Sequence, residues 1–365
     1  MKRVLQVVGS LHVGGLETVV MNFIRYANPN EYKFDYLVYG NLIGEYEDEV
    51  LNRGGRIIRI PGPKSGYMKF FKDLNNVMRE YGPYDIVHSH TYFNSGLVVR
   101  IAKKNGVKKC IAHAHSGNRS GNDKLNRKMS YFILRKLLNK YSDSFCACSN
   151  AAGKYVFGKN SFKEKGVVLP NTIDLEKFVF SEDNRHDVRM SLGCSDDQEI
   201  IGTVGHMLPV KNHLFLIDVF KEYVKTRNAV LVIVGDGSLR DTIEEKISAL
   251  NLSSKVILTG MRKDVYKIMS CMDVFVLPSL HEGLPLTLVE AMANGLSFVV
   301  EKKVIAEEMA QYQNCQIVDG YDIDCWCKAI TDAVSKGRYD SFDCIKQLKR
   351  YSSDFFKNEM TRLYD

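Results

Sequence analysis

The sequence predicts an α/β protein of two Rossmann-like lobes that face a cleft, each built on a doubly wound parallel sheet. Short apolar runs rich in β-branched residues alternate with longer segments of helical periodicity along the whole chain. A length of 365 residues exceeds that of an ordinary domain, so two domains are the default. A polar stretch with one proline at residues 169–178, followed by a charged stretch at 181–187, predicts the linker. We expect lobes at 1–170 and 171–349, with a helix at 350–365 that can pack back on the first.

The elements of the first half follow from short apolar runs for strands and from apolar residues every three or four positions for helices. Strands are predicted at residues 4–9, 34–39, 56–60, 85–89, 109–114, 144–148 and 166–169. Helices are predicted at residues 15–27, 44–53, 67–81, 94–104, 124–140 and 150–157.

The second half repeats this rhythm, which predicts a second sheet wrapped by helices. Its strands are predicted at residues 200–205, 229–234, 255–259, 273–277, 297–300 and 315–318. Its helices are predicted at residues 211–226, 237–250, 263–271, 285–294, 303–311, 324–336 and 341–364, the last one broken.

Composition narrows the class of protein. A chain with 45% hydrophobic and 25% charged residues is ordinarily globular. A net charge of +7 is compatible with a patch that meets phosphates or anionic lipid, and it does not require nucleic acid as a partner. The nine cysteines include no C-x-x-C pair, which favours buried free thiols in a reducing cytosol over a zinc site. The first apolar run is too short for a signal peptide, and none is long enough to span a membrane.

The segment H-E-G-L-P-L-T-L-V-E-A at residues 281–291 carries the strongest functional signal. Glu282 follows a buried strand, Pro285 fits the first turn of a helix, and Glu290 lies about two turns into that helix. Free N–H groups at residues 283–286 and the helix dipole predict an anion site between the two acids. A nucleotide-sugar has hydroxyls at both ends and phosphates in the middle. The alternative is that both acids merely complement the helix dipole.

Two further loops at strand ends could meet phosphate. Gly14 and Gly15 follow the first strand and open a helix, where backbone N–H groups can approach a phosphate; a tight turn without a ligand is the alternative. Lys211 opens a helix after the first strand of the second half and suits phosphate as a point charge. His206, on the same loop, could donate to that phosphate or could be packed. Arg262, in another loop, could lie near a base.

Two H-x-H pairs end neighbouring strands of the first lobe: His88 with His90, and His113 with His115. Alternate residues of a strand share a face, so four imidazoles could bind a metal. No carboxylate or cysteine completes a ligand set, so we expect no metal site. We expect one histidine of each pair to point into the cleft, with His115 as the polar group near the reacting sugar.

Residues 121–140 have the pattern of an amphipathic basic helix. Such a helix is either an ordinary surface helix or a contact for anionic lipid headgroups or an acceptor pyrophosphate. Its cations are Lys124, Arg127, Lys128, Arg135, Lys136 and Lys140.

Over essentially its full length the chain resembles the family-4 retaining glycosyltransferases of the GT-B fold, in particular bacterial capsule and exopolysaccharide hexosyltransferases. The resemblance rests on G-G-L-E-T-V-V-M-N (14–22), A-H-S-G (114–117), V-K-N-H (210–213), V-G-D-G (234–237) and the Glu-x7-Glu motif at 282–290. It implies transfer of a hexose from a nucleotide diphosphate sugar, UDP by default, to a lipid-pyrophosphate or oligosaccharide acceptor. It also implies that no metal or other cofactor is needed.

The resemblance also implies roles for individual residues. Glu290 would hold the ribose hydroxyls, Glu282 would reach the donor sugar, and Lys211 would neutralise the departing diphosphate. His115 would bond the sugar, which makes Glu282, Lys211 and His115 the catalytic candidates. The backbone elements that would enclose sugar and diphosphate are Gly14, Gly15, Gly283, Leu284, Pro285 and Leu286. The family usually has arginine where this chain has His206, and a neutral histidine lacks that charge.

Two other functions are compatible with these residues. A nucleotide-sugar epimerase would need no acceptor, and a catalytically silent subunit would bind the donor on behalf of a partner transferase. For the transferase we expect a cytoplasmic enzyme held peripherally at the inner leaflet, where lipid-linked acceptors are presented, with no nucleic-acid partner.

Overall fold

The computed structural model describes residues 1–12, 14–115, 125–282, 284–305 and 312–365, with the backbone alone over 125–128. It divides into two compact units. The first unit is Met1–Thr172 with Ser353–Asp365, and the second unit is Ile173–Ser352. The chain therefore completes the second unit before it returns to the first.

The first unit contains one seven-stranded parallel sheet with the order β3-β2-β1-β4-β5-β6-β7. Its strands are β1 (Lys2–Val7), β2 (Tyr32–Tyr39), β3 (Arg56–Ile60), β4 (Ile86–Ser89), β5 (Lys109–Ala114), β6 (Ser144–Ala147) and β7 (Gly166–Val168). Its helices are α1 (Gly15–Tyr26), α2 (Glu47–Asn52), α3 (Tyr67–Tyr81), α4 (Ser95–Lys104), α5 (Leu125–Tyr141), α6 (Asn150–Phe157), α7 (Lys159–Lys165) and, from the end of the sequence, α15 (Ser353–Tyr364).

The second unit contains a six-stranded parallel sheet with the order β10-β9-β8-β11-β12-β13. Its strands are β8 (Glu199–Val204), β9 (Ala229–Val234), β10 (Val256–Gly260), β11 (Val274–Leu277), β12 (Ser297–Glu301) and β13 (Cys315–Val318). Its helices are α8 (Glu182–Leu192), α9 (His213–Tyr223), α10 (Arg240–Ala249), α11 (Val265–Cys271), α12 (Leu286–Ala293), α13 (Ile323–Lys336) and α14 (Ser341–Gln347).

Successive residues of a strand point to opposite faces of the sheet, and in each unit helices cover both faces. On β1, Val4 belongs to a core formed with α1 and α15, whereas Leu5 belongs to a core formed with α3 and α4. The second sheet divides in the same way between two cores. Strands such as β9, A-V-L-V-I-V, are buried at every residue, which explains their continuous apolar sequence. The predicted fold class, two doubly wound parallel α/β lobes, is confirmed.

One prediction about the linker is wrong. The charged stretch at 181–187 is not a linker but the start of α8, which spans Glu182–Leu192. The Ser181 side chain accepts the N–H of Asn184 at the N-terminus, and Gly193 ends the helix in the left-handed conformation. Helix α7 was also not predicted. The helix predicted at 303–311 lies largely outside the described residues.

Candidate active site

The candidate donor site lies at the carboxyl edge of the second sheet, where the strand order reverses between β8 and β11. Ligands of doubly wound sheets bind at such a switch point. Backbone hydrogen bonds hold the loops there together. Leu280 N–H donates to Val210 O at 2.8 Å, and Met207 N–H donates to Asp236 O at 2.9 Å. The loops after β8, β9 and β11 therefore form one connected rim.

Lys211 lies on this rim and is paired with Glu282. A 3₁₀ turn over Pro209–Lys211 ends at Asn212, which has a left-handed φ of 56°. The Lys211 stem packs against Gly205, where an added Cβ would lie 3.3 Å from Lys211 Cε. Lys211 Nζ lies 2.6 Å from Glu282 Oε1, and the two side chains are only 18% and 13% exposed. The predicted cation and the predicted sugar-binding acid are thus brought together.

Glu282 has a second fixed partner. The Ser279 hydroxyl donates to the same oxygen, Oε1, at 2.7 Å. Ser279 is itself anchored, since the Tyr321 hydroxyl donates to Ser279 O at 3.0 Å. Two donors on one oxygen leave Glu282 Oε2 as the carboxylate atom most available to a ligand.

Helix α12 begins at Leu286, one residue later than predicted, with Pro285 in the cap position. The prediction that N–H groups of residues 283–286 all contribute to an anion site is wrong for Pro285, because proline has no N–H. Gly283 lies outside the described residues. The first helical turn offers Leu286 and Thr287 as backbone donors. Among the described residues, Thr287 Oγ1 is buried without a hydrogen-bond partner, a contact site that the sequence pattern did not predict.

Glu290 lies in the second turn of the same helix. Burial raises the pKa of its carboxyl to about 7, although the charge of Lys177 acts in the opposite direction. The Lys177 ammonium also lies 4.8 Å from the centre of the Tyr266 ring. The two acids of the Glu-x7-Glu motif therefore lie in different electrostatic environments: Glu282 is paired with Lys211, whereas burial dominates at Glu290.

Two other residues that were predicted to contact the nucleotide-sugar are exposed to solvent. His206 lies on the rim after β8 with its side chain in solvent. The Arg262 guanidinium binds the carboxylate of Asp264 at 2.7 and 2.8 Å within its own exposed loop. A base contact by Arg262 would therefore compete with this ion pair.

In the first unit, Gly14 and Gly15 lie where α1 begins, as predicted. Gly14 caps the helix in an extended conformation, and Gly15 is its first residue. The Glu17 carboxylate lies close by, since a Cβ on Gly14 would meet Glu17 Oε2 at 2.6 Å. Ser10 Oγ donates to Glu17 Oε1 at 3.3 Å. A phosphate at this end of α1 would require that carboxylate to move.

The four histidines form one stacked group in the first unit. His88, His90 and His113 are buried, and His115 is partly exposed. The prediction that one histidine of each pair points into the cleft is wrong for His88 and His90, because both are buried in the core of the first unit. Burial lowers the pKa of His115 to about 3 and those of the other three well below their usual value.

Ring nitrogens of His88, His90 and His113 lie within 4.8 Å of one another. Both nitrogens of His90 are already engaged, by His115 Nε2 at 2.8 Å and by Gln6 Oε1 at 2.7 Å. A metal ion at this group would have to displace one of these hydrogen bonds.

The basic helix α5 presents a mixed surface. Lys124 lies outside the described residues, and the side chains of Arg127 and Lys128 are not described. Arg135 is held inside the unit, because its guanidinium donates to Val156 O at 2.9 Å and to Tyr155 O. Lys136 and Lys140 are exposed. The exposed apolar side chains beside them are Met129, Phe132 and Ile133.

Comparison with known proteins identifies the family. Residues 184–350 match the family described as Glycosyl transferases group 1, and residues 13–177 match Glycosyltransferase Family 4. The EpsF protein of Bacillus subtilis (strain 168), named as a glycosyltransferase, is 33% identical over 342 residues, which cover 92% of this chain and 89% of EpsF. The chain belongs to glycosyltransferase family 4.

This glycosyltransferase is also similar to an Escherichia coli enzyme named UDP-Gal:alpha-D-GlcNAc-diphosphoundecaprenol alpha-1,3-galactosyltransferase. The two are 31% identical over 252 residues, which cover 64% of this chain and 63% of that enzyme. Anabaena Alr3699/HepE, solved in complex with UDP, superposes with a TM-score of 0.83 at 17% identity over 99% of both chains. That likeness shows the GT-B fold for this glycosyltransferase.

Several residues that contact the predicted site residues within each unit of this glycosyltransferase were not predicted from the sequence. Ser279 fixes Glu282, and Lys177 lies near Glu290. Gln6 and Tyr364 bind the histidine group. Thr287 lay inside a motif that already carried a signal, and Ser279 lies only three residues before Glu282, but no local pattern shows where its hydroxyl points. The contacts of Lys177, Gln6 and Tyr364 join distant parts of the chain, which no local pattern reveals.

Proposed function

We propose that this glycosyltransferase transfers a hexose from a nucleotide diphosphate sugar, by default a UDP-sugar, to a lipid-linked or glycan acceptor with retention of anomeric configuration. One observation carries the proposal: Glu282 lies just before α12 and Glu290 lies in its second turn, with Lys211 Nζ 2.6 Å from Glu282 Oε1. A helix amino end beside one cation, with one acid before the helix and one in its second turn, suits a diphosphate that links a sugar to a ribose. The UDP bound to HepE supports the choice of base.

The pairing of Lys211 with Glu282 suggests how the site responds to the donor. The diphosphate carries more charge than one carboxylate, so it competes with Glu282 for the ammonium of Lys211. Once Lys211 bonds the diphosphate, Glu282 is held by Ser279 and faces the sugar hydroxyls. Glu290, when ionised, accepts hydrogen bonds from the ribose hydroxyls.

The chemical step needs no protein nucleophile in this proposal. The bond between the anomeric carbon and the phosphate oxygen breaks, and a bond from that carbon to the acceptor oxygen forms on the same face. The departing phosphate oxygen takes the acceptor proton. Lys211 and the first-turn N–H groups of α12 stabilise the charge that develops on the leaving diphosphate. The proposal involves no metal ion.

The acceptor is the second part of the proposal. The Escherichia coli relative is named for a diphosphoundecaprenol acceptor, which supports a lipid pyrophosphate for this enzyme and a role in capsule or exopolysaccharide synthesis. Among the described residues, no helix has the length and apolarity needed to cross a bilayer. Exposed Phe132 and Ile133 beside exposed Lys136 and Lys140 suit peripheral contact with anionic lipid on the cytoplasmic leaflet.

The donor and the reaction can be tested together. A thermal-shift screen with a panel of nucleotide-sugars should raise the apparent melting temperature for one donor, because that donor binds the native state. With that donor and a lipid-pyrophosphate acceptor, release of the nucleotide diphosphate should depend on the acceptor. Turnover of the sugar without any acceptor would instead support an epimerase. Donor binding without turnover on any acceptor would support a silent binding subunit.

Membrane contact needs its own test. Lys136→Glu with Lys140→Glu should weaken binding to vesicles that contain anionic lipid, with no change on neutral vesicles. Lys328→Glu with Lys336→Glu is the matched control, since it makes the same charge change at exposed positions of α13 in the second unit. Equal loss of binding in both double variants would show a net-charge effect and contradict a specific role for α5.

A further inference from the structure

A chain of hydrogen bonds connects α15 to His115 in the first unit. Gln6 Nε2 donates to the Tyr364 hydroxyl at 2.8 Å, and Gln6 Oε1 lies 2.7 Å from His90 Nε2. His90 Nδ1 lies 2.8 Å from His115 Nε2. Four side chains are thus linked in series: Tyr364 of α15, Gln6 of β1, and His90 and His115, which directly follow β4 and β5.

The chain lies inside the core. Gln6 is 0%, Tyr364 1% and His90 3% exposed. Strand periodicity places Gln6 and His90 on the sheet face that α1 and α15 cover. Phe23 of α1 stacks on Tyr364 with ring centres 5.6 Å apart. Water has no access to Gln6, Tyr364 or His90, so each of their donors must meet an acceptor within the protein. The Tyr364 hydroxyl, which accepts from Gln6, has His88 Nδ1 at 3.1 Å as the acceptor for its own proton.

Burial keeps the histidines neutral, so each carries one ring proton and the bond directions follow from one another. Since Gln6 Oε1 accepts, His90 carries its proton on Nε2 and accepts at Nδ1. His115 must then carry its proton on Nε2. His115 Nδ1 is left as a bare acceptor, and among the described residues it has no hydrogen-bond partner.

Rotating the Gln6 amide by half a turn would reverse every bond at once. Tyr364 would then donate to Gln6, Gln6 to His90, and His90 to His115, which would carry its proton on Nδ1. A mixed arrangement would leave two buried donors or two buried acceptors facing each other, which is costly. The state of His115 is therefore tied to the amide of Gln6.

We propose that Gln6 and Tyr364 are positioning residues that set which ring nitrogen of His115 carries the proton. This rests on the proposed function, in which His115 bonds a substrate hydroxyl. With Nδ1 bare, His115 accepts from that hydroxyl; with Nδ1 protonated, it donates to it. When the Tyr364 hydroxyl accepts from Gln6, its own proton goes to His88 Nδ1, 3.1 Å away, so rotation of the Gln6 amide would also require His88 to move its proton to Nδ1. Tyr364, held by His88, therefore keeps the Gln6 amide in one orientation and fixes one of these two states.

The first test measures the ring protons directly. In protein labelled with ¹⁵N-histidine, the His115 nitrogens of the native chain should show one protonated Nε2 and one unprotonated Nδ1. Tyr364→Phe removes the hydroxyl that anchors Gln6, so His115 should become a mixture of both forms. Tyr36→Phe is the matched control, because Tyr36 is equally buried and its hydroxyl has no partner among the described residues. An unchanged His115 in Tyr364→Phe would overturn the proposal.

The second test is a double-mutant cycle in the transfer assay. Tyr364→Phe and Gln6→Met should each lower kcat/KM by about 10-fold, the size expected for one misdirected hydrogen bond. In a His115→Ala background the same changes should have no further effect, because they act through His115. An equal loss in both backgrounds would show that Gln6 and Tyr364 only support the fold, and would overturn the proposal.

The two tests distinguish control of the His115 tautomer from the contact between His115 and the substrate. If His115→Ala leaves the kinetics unchanged, the substrate contact assigned to His115 fails. The tautomer measurement still decides whether Gln6 and Tyr364 control the ring.

Discussion

Lys211 and Glu282 are each more constrained than their sequence context shows. Their ion pair is mostly shielded from solvent, and Ser279 donates to the same carboxylate oxygen. A partly buried charge pair of this kind holds both side chains in place before a ligand arrives. Both side chains therefore already have fixed positions in the protein without a ligand.

Removing Lys211 should damage turnover more than folding. Lys211→Ala should lower kcat by about 100-fold, because a charge that stabilises the leaving diphosphate is lost. Steady-state kinetics with the identified donor and acceptor would measure it. Lys221→Ala, at an exposed lysine of α9, is the control for loss of one charge. A kcat close to that of the native protein would remove Lys211 from the reaction.

Glu290 should make donor binding depend on pH. Its pKa is raised to about 7, so the ionised form that accepts from ribose hydroxyls gains population as the pH rises through 7. If only that form binds, donor affinity should be about 10-fold higher at pH 8 than at pH 6. Calorimetry at the two pH values would measure this. Glu290→Gln cannot ionise, so its affinity should be weaker and nearly independent of pH. The same pH dependence in Glu290→Gln would assign it to another group.

The two acids of the motif could be found from sequence, because strand, loop and helix each leave a local pattern around them. Their partners could not. Ser279 is polar and close in sequence, but nothing in the pattern shows that its hydroxyl turns toward Glu282. The error at Pro285 was avoidable, because a residue without an N–H cannot be an anion donor.

Among the elements, α8 shows how a long-range partner can stabilise a helix with little apolar surface. Arg185 Nη2 and Arg189 Nη2 bind the two oxygens of Asp273 at 2.7 and 2.6 Å. Ile200 N–H also donates to Asp273 Oδ2 at 2.7 Å. Asp273 precedes β11, far along the chain. The sequence contains the cap residues of α8, Ser181 and Gly193. The many charged residues between them, however, gave this segment the composition of a linker.

Asp273→Ala should destabilise the second unit strongly. It leaves Arg189, which is 2% exposed, without its anion, and breaking a buried ion pair from one side costs about 3 kcal/mol or more. Urea unfolding followed by the fluorescence of Trp326, the single tryptophan of the chain, reports on this unit. Asp218→Ala breaks the more exposed pair with Lys246 and should cost less than about 1 kcal/mol. Similar losses in both variants would contradict the role given to Asp273.

At the scale of the whole molecule, the histidine group should make the first unit sensitive to acid. Its histidines have lowered pKa values in the folded state, whereas in the unfolded chain they titrate near their usual value of 6.5. The unfolded state therefore binds more protons below that pH. Stability is fully present above pH 6.5 and falls as the pH drops toward the folded pKa, which is about 3 for His115.

Each buried histidine should lower the free energy of unfolding by about 1 kcal/mol between pH 7 and pH 5.5. Hydrogen exchange of amides in β1, β4 and β5 would report on this unit alone. His113→Leu should reduce this loss of unfolding free energy by the amount that one histidine contributes. The substitution breaks no hydrogen bond, because among the described residues neither ring nitrogen of His113 has a partner. A pH dependence identical to that of the native chain would show that His113 does not contribute.

The return of residues 353–365 to the first unit has a consequence for biosynthesis. The second unit is continuous in sequence, and its two ends are joined where Ile173 N–H donates to Tyr351 O at 3.0 Å. A ribosome releases that entire segment before Phe356, Met360 and Leu363 can seal the core that opens toward α1. While the second unit is being synthesised, the sheet of the first unit therefore has α1 on this core but still lacks α15, so part of its apolar face stays uncovered.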